Sequence, residues 1–252
     1  MKRLTWAGGM LTALAIMAAP SVASAQIDQL IGVSGGGFFP RTEGSRSSGD
    51  VLLTNLDTFS LDPAGPGDDI GRGLEAWRGG QFGGEYLLGL GDWVEAGVSV
   101  NFYQRSLNSQ YRDYTNPNNS EITQQFKLRI VPVTASARWF PTGRTTPVQA
   151  YVGAGINFYK WKYTEDGSFI DFTNPNANPL PIFSGTFEDT GTAVGPVILG
   201  GVRVPFAHNH FLVGGEFRYQ WGTADLDPNQ NFASNKLDLG GASAVATFHV
   251  RF

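Results

Sequence analysis

The chain has no cysteine. Disulfides are therefore excluded, and the fold must be held by backbone hydrogen bonds and side-chain packing. Long apolar runs are missing as well. Residues 26–252 contain no uninterrupted stretch of the ~18 apolar residues that a membrane-spanning helix needs. Basic residues are in the minority: setting aside Lys2 and Arg3 takes the 18 of them to 16 against 22 acidic ones, a formal charge of −6. That balance argues against nucleic acid as a partner, because phosphate binding needs a concentrated basic face. Histidine occurs three times, at His208, His210 and His249.

What is present begins with an export signature. In "MKRLTWAGGMLTALAIMAAPSVASAQ", Lys2 and Arg3 precede an apolar core from Met10 to Ala19, and Ala23-Ser24-Ala25 supplies a small-residue cleavage site. Residues 1–25 read as a signal peptide, which leaves residues 26–252 as one mature domain.

Glycine is plentiful, at 33 residues, and aromatic side chains accompany it. Apolar residues recur at every second position, which is the period of a strand with two unlike faces. In "WVEAGVSVNF", Val94, Ala96, Val98, Val100 and Phe102 share a face. In "VQAYVGAGINFY", Val148, Val152, Ile156 and Phe158 do the same, and in "VGPVILGGVRV" Val194, Ile198, Val202 and Val204 lie opposite Arg203. Eight such segments fall near residues 29–39, 79–90, 92–104, 121–140, 147–162, 190–205, 211–221 and 236–252. The links between them alternate between short turns and long polar loops, the latter at 40–78, 105–120, 163–189 and 222–235. Strict alternation places all short turns at one end of the sheet, as in a barrel inserted into a membrane from one side.

In "FKLRIVPVTASARW" the apolar phase moves from Phe126, Leu128 and Ile130 to Val131, Val133, Ala135, Ala137 and Trp139. This predicts a β-bulge at Pro132, where a proline is tolerated because the ladder is already broken. A soluble barrel with an apolar cavity would alternate in the same way. The membrane version is favoured by the glycine-rich charged face and by two aromatic belts. One comprises Trp93, Trp139, Phe140, Phe206, Phe211 and Phe252 near the short turns; the other comprises Phe102, Tyr103, Phe158, Trp161, Tyr219 and Trp221 near the long loops.

The hairpin "IVPVTASARWFPTGRTTPVQAYVGAGINFYKW", the strand "VGGEFRYQWG" and the terminal "TFHVRF" resemble the small outer-membrane β-barrels grouped around the OmpA transmembrane domain, OmpX and the opacity-type porin family. The resemblance spans essentially all of residues 26–252. It implies an all-β, eight-stranded antiparallel up-and-down transmembrane β-barrel in a Gram-negative-type outer membrane. It further implies that Phe248, Val250 and Phe252 form the signal read by the barrel-assembly machinery, and that outer-membrane lipids and lipopolysaccharide surround the protein. Unlike longer relatives of the OmpA type, no peptidoglycan-binding domain is expected after Phe252.

The expected interior carries Glu85, Glu95 and Glu216 with Arg138, Arg203, Arg218, His249 and Arg251. A turn near Leu90 sets Glu85 opposite Glu95, and two carboxylates so placed need a cation between them. Arg218, helped by Arg138, is the expected internal plug, because an eight-stranded barrel is only wide enough to be filled by side chains. The six residues Glu85, Glu95, Arg138, Arg203, Glu216 and Arg218 form the candidate lumen ion-pair network. Its alternative reading is a narrow polar path gated by those same pairs.

Catalysis has little to work with. His208 and His210 fall in a short turn and His249 lies near the C-terminus, so no His reaches the outer rim where barrel enzymes place theirs. No catalytic residue, cofactor or metal site is expected. His208 and His210 read as solvated turn residues, and Asp62, Asp68 and Asp69 lack the alternating ligand spacing of a calcium loop. The repeated Thr-Asn-Pro-Asn at 115–118 and 173–176 reads as two similar turns. The sequence thus predicts a monomeric, non-catalytic outer-membrane protein with structural and surface-interaction roles, its four long loops meeting an extracellular ligand. Porin-like passive transport of small solutes is the alternative.

Overall fold

The computed structural model describes residues 28–174 and 176–252; the signal peptide expected over residues 1–25 lies outside them. Among the described residues eleven strands occur in chain order: β1 (Asp28–Pro40), β2 (Phe59–Leu61), β3 (Gly79–Leu90), β4 (Val94–Thr115), β5 (Glu121–Trp139), β6 (Gln149–Ile170), β7 (Ile182–Phe206), β8 (Phe211–Gln220), β9 (Thr223–Asp225), β10 (Lys236–Asp238) and β11 (Gly241–Arg251). A short helix α1 (Val51–Thr58) lies in the first long connection. Eight of the strands close a ring in the order β1, β3, β4, β5, β6, β7, β8, β11, each antiparallel to its neighbours. β11 returns to β1 with Leu30 opposite Arg251 and Pro40 opposite Gly241. β2 pairs beside β4, and β9 with β10 forms a separate hairpin.

The alternating pattern explains the lower part of this ring. Val152, Ile156, Phe158, Val194, Ile198, Val202, Val204, Val213 and Phe217 project outward, each more than two-fifths exposed. Their neighbours in sequence project inward and are buried or, at several glycines, half-buried. Such a band suits lipid outside and a packed lumen inside.

Above this band the wall turns inside out. On β6 the outward series passes from Ile156 and Phe158 to Lys160, and on β7 it passes from Val194 to Thr192, Thr190 and Glu188. Lys160 pairs with Thr192, so the change falls at one level on both strands. Inward residues change in the opposite sense: Phe126, Leu128, Ile130, Tyr159, Trp161 and Tyr163 are all buried. The protein is a membrane barrel below this level and has the polarity of a water-soluble barrel above it.

This inversion corrects three expectations. There is no bulge at Pro132. Val100 pairs with Val133 and Tyr103 with Ile130 in one continuous register, and β5–β6 pairing runs unbroken through Pro132. The apolar phase shifts because the surroundings change, while the backbone does not slip. The register irregularity on β4–β5 comes higher, between Gln110 and Thr115. Residues 105–115 and most of 163–189, expected as loops, are strand. Their outer faces carry mostly polar residues, among them Ser106, Asn108, Thr164, Asp166, Ser184 and Thr186, and average composition hides the apolar inner face. Three of the expected belt aromatics, Tyr103, Phe140 and Trp161, are buried inside instead. Proximity to a strand end placed them in the belts, whereas Tyr103 and Trp161 occupy the inward phase. Trp93, Trp139, Phe158, Phe206 and Phe252 do face outward.

At the ~40° tilt usual for such barrels, 25-residue β7 rises roughly 60 Å, well beyond an apolar band of about 25 Å. Two substitutions in the same outward phase of β7 test the level of the inversion. Ile198→Arg should cost about 2–4 kcal/mol in urea unfolding from phosphatidylcholine vesicles. Thr190→Arg should change stability by less than about 0.5 kcal/mol. Equal costs would contradict a boundary between them.

Candidate functional site

The lumen is filled in two storeys. The lower one is ionic. On β4, Glu95 points to the barrel axis and is fully buried, where an unpaired carboxylate would be very costly. Arg203 of β7 answers it with two guanidinium bonds, at 2.9 and 2.8 Å, and holds its own orientation by donating Nε to Gln149 at 2.8 Å. This forked geometry suits arginine to a carboxylate. The Arg203 guanidinium also lies 4.7 Å from the centre of the Phe140 ring.

A second cluster sits beside the first. Arg138 of β5 reaches Glu85 of β3 at 2.5 Å and Glu216 of β8 at 2.8 Å, and its other terminal nitrogen is 4.0 Å from Glu95. Arg218 pairs with Glu216 and lies 3.5 Å from Glu85. Tyr151 donates its hydroxyl to Glu216 at 2.8 Å, and His249 Nε2 is 2.6 Å from Glu85. None of the six residues in the candidate network is more than 6% exposed.

The structure brings all six together but changes their arrangement. Glu85 stands opposite Ser99, and Glu95 opposite Gly89, so the two carboxylates are not cross-strand partners. Arg138 spans between them, and Arg218 serves Glu85 and Glu216 without approaching Glu95 as an ion pair. The turn near Leu90 fixes this: Leu90 pairs with Val94, which moves Glu85 four residues past Glu95's partner.

Arg144 carries no signal in the sequence, because "FPTGRTTP" reads as an ordinary polar turn. Instead Arg144 folds under the barrel floor, donating to Glu95 at 3.2 Å, to Asp28 at 2.5 Å and to the Gly91 carbonyl at 2.9 Å. Room for it exists because residue 89 is glycine; a Cβ there would collide with the guanidinium. Gly32 leaves space for the His249 ring in the same way. Arg251 completes the floor at 3.2 Å from Asp28.

The upper storey is mainly apolar, with a buried Glu165 that accepts from Asn55 at 2.6 Å and from the Tyr163 hydroxyl at 2.8 Å, and it is partly supplied by the connection from 41 to 78. Val51, Leu52, Phe59, Leu61, Leu74, Ala76 and Trp77 are buried against inward wall residues. Phe59 meets Phe126 edge-on at 5.2 Å, the Tyr103 hydroxyl donates to the Trp77 carbonyl, and Arg105 Nε donates to the Ala76 carbonyl at 2.9 Å. Ala224, Leu226, Leu237 and Leu239, from the connection between β8 and β11, are buried in the same cluster. Arg46 joins the two connections, pairing with Asp50 at 2.5 Å and donating to the Asp238 carbonyl at 2.9 Å.

The remaining sequence candidates are dispersed. Asp62 faces Arg72 at 3.0 Å. Asp68 accepts the backbone N–H groups of Ala64 and Gly71, which hold its carboxyl below the usual range. His208 and His210 lie in the β7–β8 turn, where Ala207, His208 and Asn209 all have positive φ. Phe248, Val250 and Phe252 line the outer face of β11 and its end.

A closed antiparallel ring with lipid-facing apolar residues and a charged lumen defines a transmembrane β-barrel. The profile of the outer membrane protein beta-barrel domain family matches residues 10–252, and the chain belongs to that family. No curated protein matches it. Among solved structures, it is similar to the N-terminal β-barrel domain of Pseudomonas aeruginosa OprF, at 11% identity and TM-score 0.39, covering 89% of this chain and 97% of that one. Neisserial surface protein A shows 13% identity and TM-score 0.44, with 89% and 97% covered. Ail, the attachment invasion locus protein of Yersinia pestis, shows 14% identity and TM-score 0.38, with 90% and 99% covered.

Removing Arg138 leaves three buried carboxylates short of a partner. Arg138→Ala should destabilise the barrel by about 3–5 kcal/mol in urea unfolding from vesicles. Adding Glu85→Gln to an Arg138→Met background, which leaves Arg218 paired with Glu216, should recover most of that loss. An unchanged midpoint for Arg138→Ala would contradict the pairing.

Proposed function

We propose that this protein is a non-catalytic, monomeric component of the outer membrane that works by presenting a surface and conducts no solute. The observation that carries this reading is the doubly filled bore. Solute would have to displace the buried ion pairs around Arg138 and then the apolar stopper around Trp77. Displacing the first exposes unpaired charges in a site of low dielectric. Displacing the second separates two connections from the wall they pack on. Passive transport, the alternative, would need both to open.

In this reading residues 1–25 direct export and are removed, the short turns face the periplasm and the long-connection end faces outward. The inverted polarity of the upper wall supports that orientation, since it lifts the connections clear of the apolar band. Exposed apolar side chains recur at the tip: Tyr114, Phe172, Ile182 and Phe183, around the ends of β4, β6 and β7. Apolar groups held in water on a rigid scaffold are a common form of interaction surface. Phe248, Val250 and Phe252 are proposed as the contact for the barrel-assembly machinery.

Planar bilayer recordings and liposome swelling test the central point. Purified full-length protein should give no unit conductance steps, and swelling in small sugars should match protein-free vesicles. Stepwise openings accompanied by sugar uptake would establish the transport reading in its place.

A further inference from the structure

Immediately above the apolar band, the outer wall carries a cluster of like charge. Arg129 of β5 stands directly opposite Lys162 of β6; Lys127 lies one outward position above Arg129, and Lys160 one below Lys162. Outward neighbours on a strand are ~7 Å apart, and opposed side chains on adjacent strands have Cβ atoms ~5 Å apart. Four cations therefore form a compact diagonal stripe on two strands. At the same level β4 presents Gln104 and Ser106, and β7 presents Thr190 and Thr192.

Among the described residues, one member of the stripe is neutralised. Lys162 meets Glu188 of β7 at 2.7 Å. Among the described residues, no carboxylate comes within 4.0 Å of Lys127, Arg129 or Lys160. Asp166, higher on β6, is engaged by the Thr186 hydroxyl. Like charges directly opposed across strands are unfavourable. Charge that discourages edge pairing is unnecessary here, because a closed barrel has no edge. An external anion would relieve the repulsion.

The position says what kind of anion. Directly beneath Lys160 lies Phe158, 53% exposed, followed by Ile156 at 50%. The stripe thus stands where charged headgroups meet hydrocarbon, and a ligand bearing phosphate above and acyl chains below would satisfy both parts. We propose that Lys127, Arg129, Lys160 and Lys162 seat the phosphate groups of a phosphorylated lipid of the leaflet at the long-connection end. Its acyl chains descend over Phe158 and Ile156. The site deepens the surface-presenting reading above, and on the outward orientation given there the ligand belongs to the outer leaflet.

The test uses full-length protein in phosphatidylcholine nanodiscs, with lipid A as the probe, intact or stripped of its phosphates. Wild type should bind the intact form at least about tenfold more tightly than the stripped form. The triple variant K127Q/R129Q/K160Q should lose that preference while keeping folded-state migration in gels. A control variant, R72Q/R78Q/K236Q, removes as many exposed cations elsewhere and should bind like wild type. Equal binding by the triple variant and wild type would overturn the site, as would equal losses in both variants. Free pyrophosphate should compete weakly; full displacement at matched concentration would assign a soluble anion and overturn the lipid. Nanodiscs leave both barrel ends accessible, so reversed orientation in the cell would not alter this result. Conductance is read separately.

Discussion

Hydrocarbon offers no hydrogen bonds, so every backbone N–H and C=O within it must find a partner in the chain itself. That requirement is what the rest of this structure answers. Joining β11 to β1 removes the two edges that an open sheet would expose, and the terminal strand is ordered because it is a wall of the ring. Once closed, the ring sets two faces at every position. Side chains that meet lipid must be apolar, and those that meet the axis share a bore too narrow for bulk water. Paired charge in the lumen follows from this geometry. Glu85, Glu95 and Glu216 are tolerable there because Arg138 and Arg203 reach them from other strands, Arg218 pairs along its own strand with Glu216, and Arg144 reaches Glu95 from the β5–β6 turn. Ties between strands far apart in sequence add a lock to the hydrogen-bonded ring.

The same constraint lapses where the strands leave the membrane. Water satisfies an outward polar group and penalises an outward apolar one, so Lys160 and Thr192 succeed Phe158 and Val194. Inside, the lumen above the ion pairs is sealed by packing, in the manner of a soluble core. The connection from 41 to 78 supplies much of that core, which is why it holds a helix and buried Trp77 in place of an open loop. Structure and proposed role meet here. A wall that carries its own core can extend far past the bilayer, and a bore plugged by charge and then by aromatic packing leaves the outer surface as the place for function.

Much of the architecture is legible in the sequence because period-two alternation survives wherever one face meets lipid. Val94 to Phe102 and Val194 to Val204 declare strands, and the charges interleaved among the strands mark the lumen. The sequence misleads where a single environment is taken to line a whole strand. The phase change around Pro132 marks the membrane boundary and resembles a bulge only if lipid is taken to line the entire strand. Residues 105–115 and 163–170 carry polar outer faces that mimic loop composition. The lumen's residues could be named, but their partners could not. Register depends on turn geometry to the residue, and a shift of four positions separates Glu85 from the place opposite Glu95. Arg144 was hidden because a turn residue can fold beneath the barrel without leaving any periodic trace.

The absence of native cysteine makes the central claim directly measurable. Single cysteines placed in turn at the outward positions of β7 from Val204 to Glu188 can each carry a polarity-sensitive fluorophore, read with the protein folded in vesicles. The account predicts lipid-like emission from Val204 through Val194 and water-like emission from Thr192 through Glu188, with the change at that single step. Lipid-like emission continuing to Glu188, or water-like emission at Ile198, would contradict it.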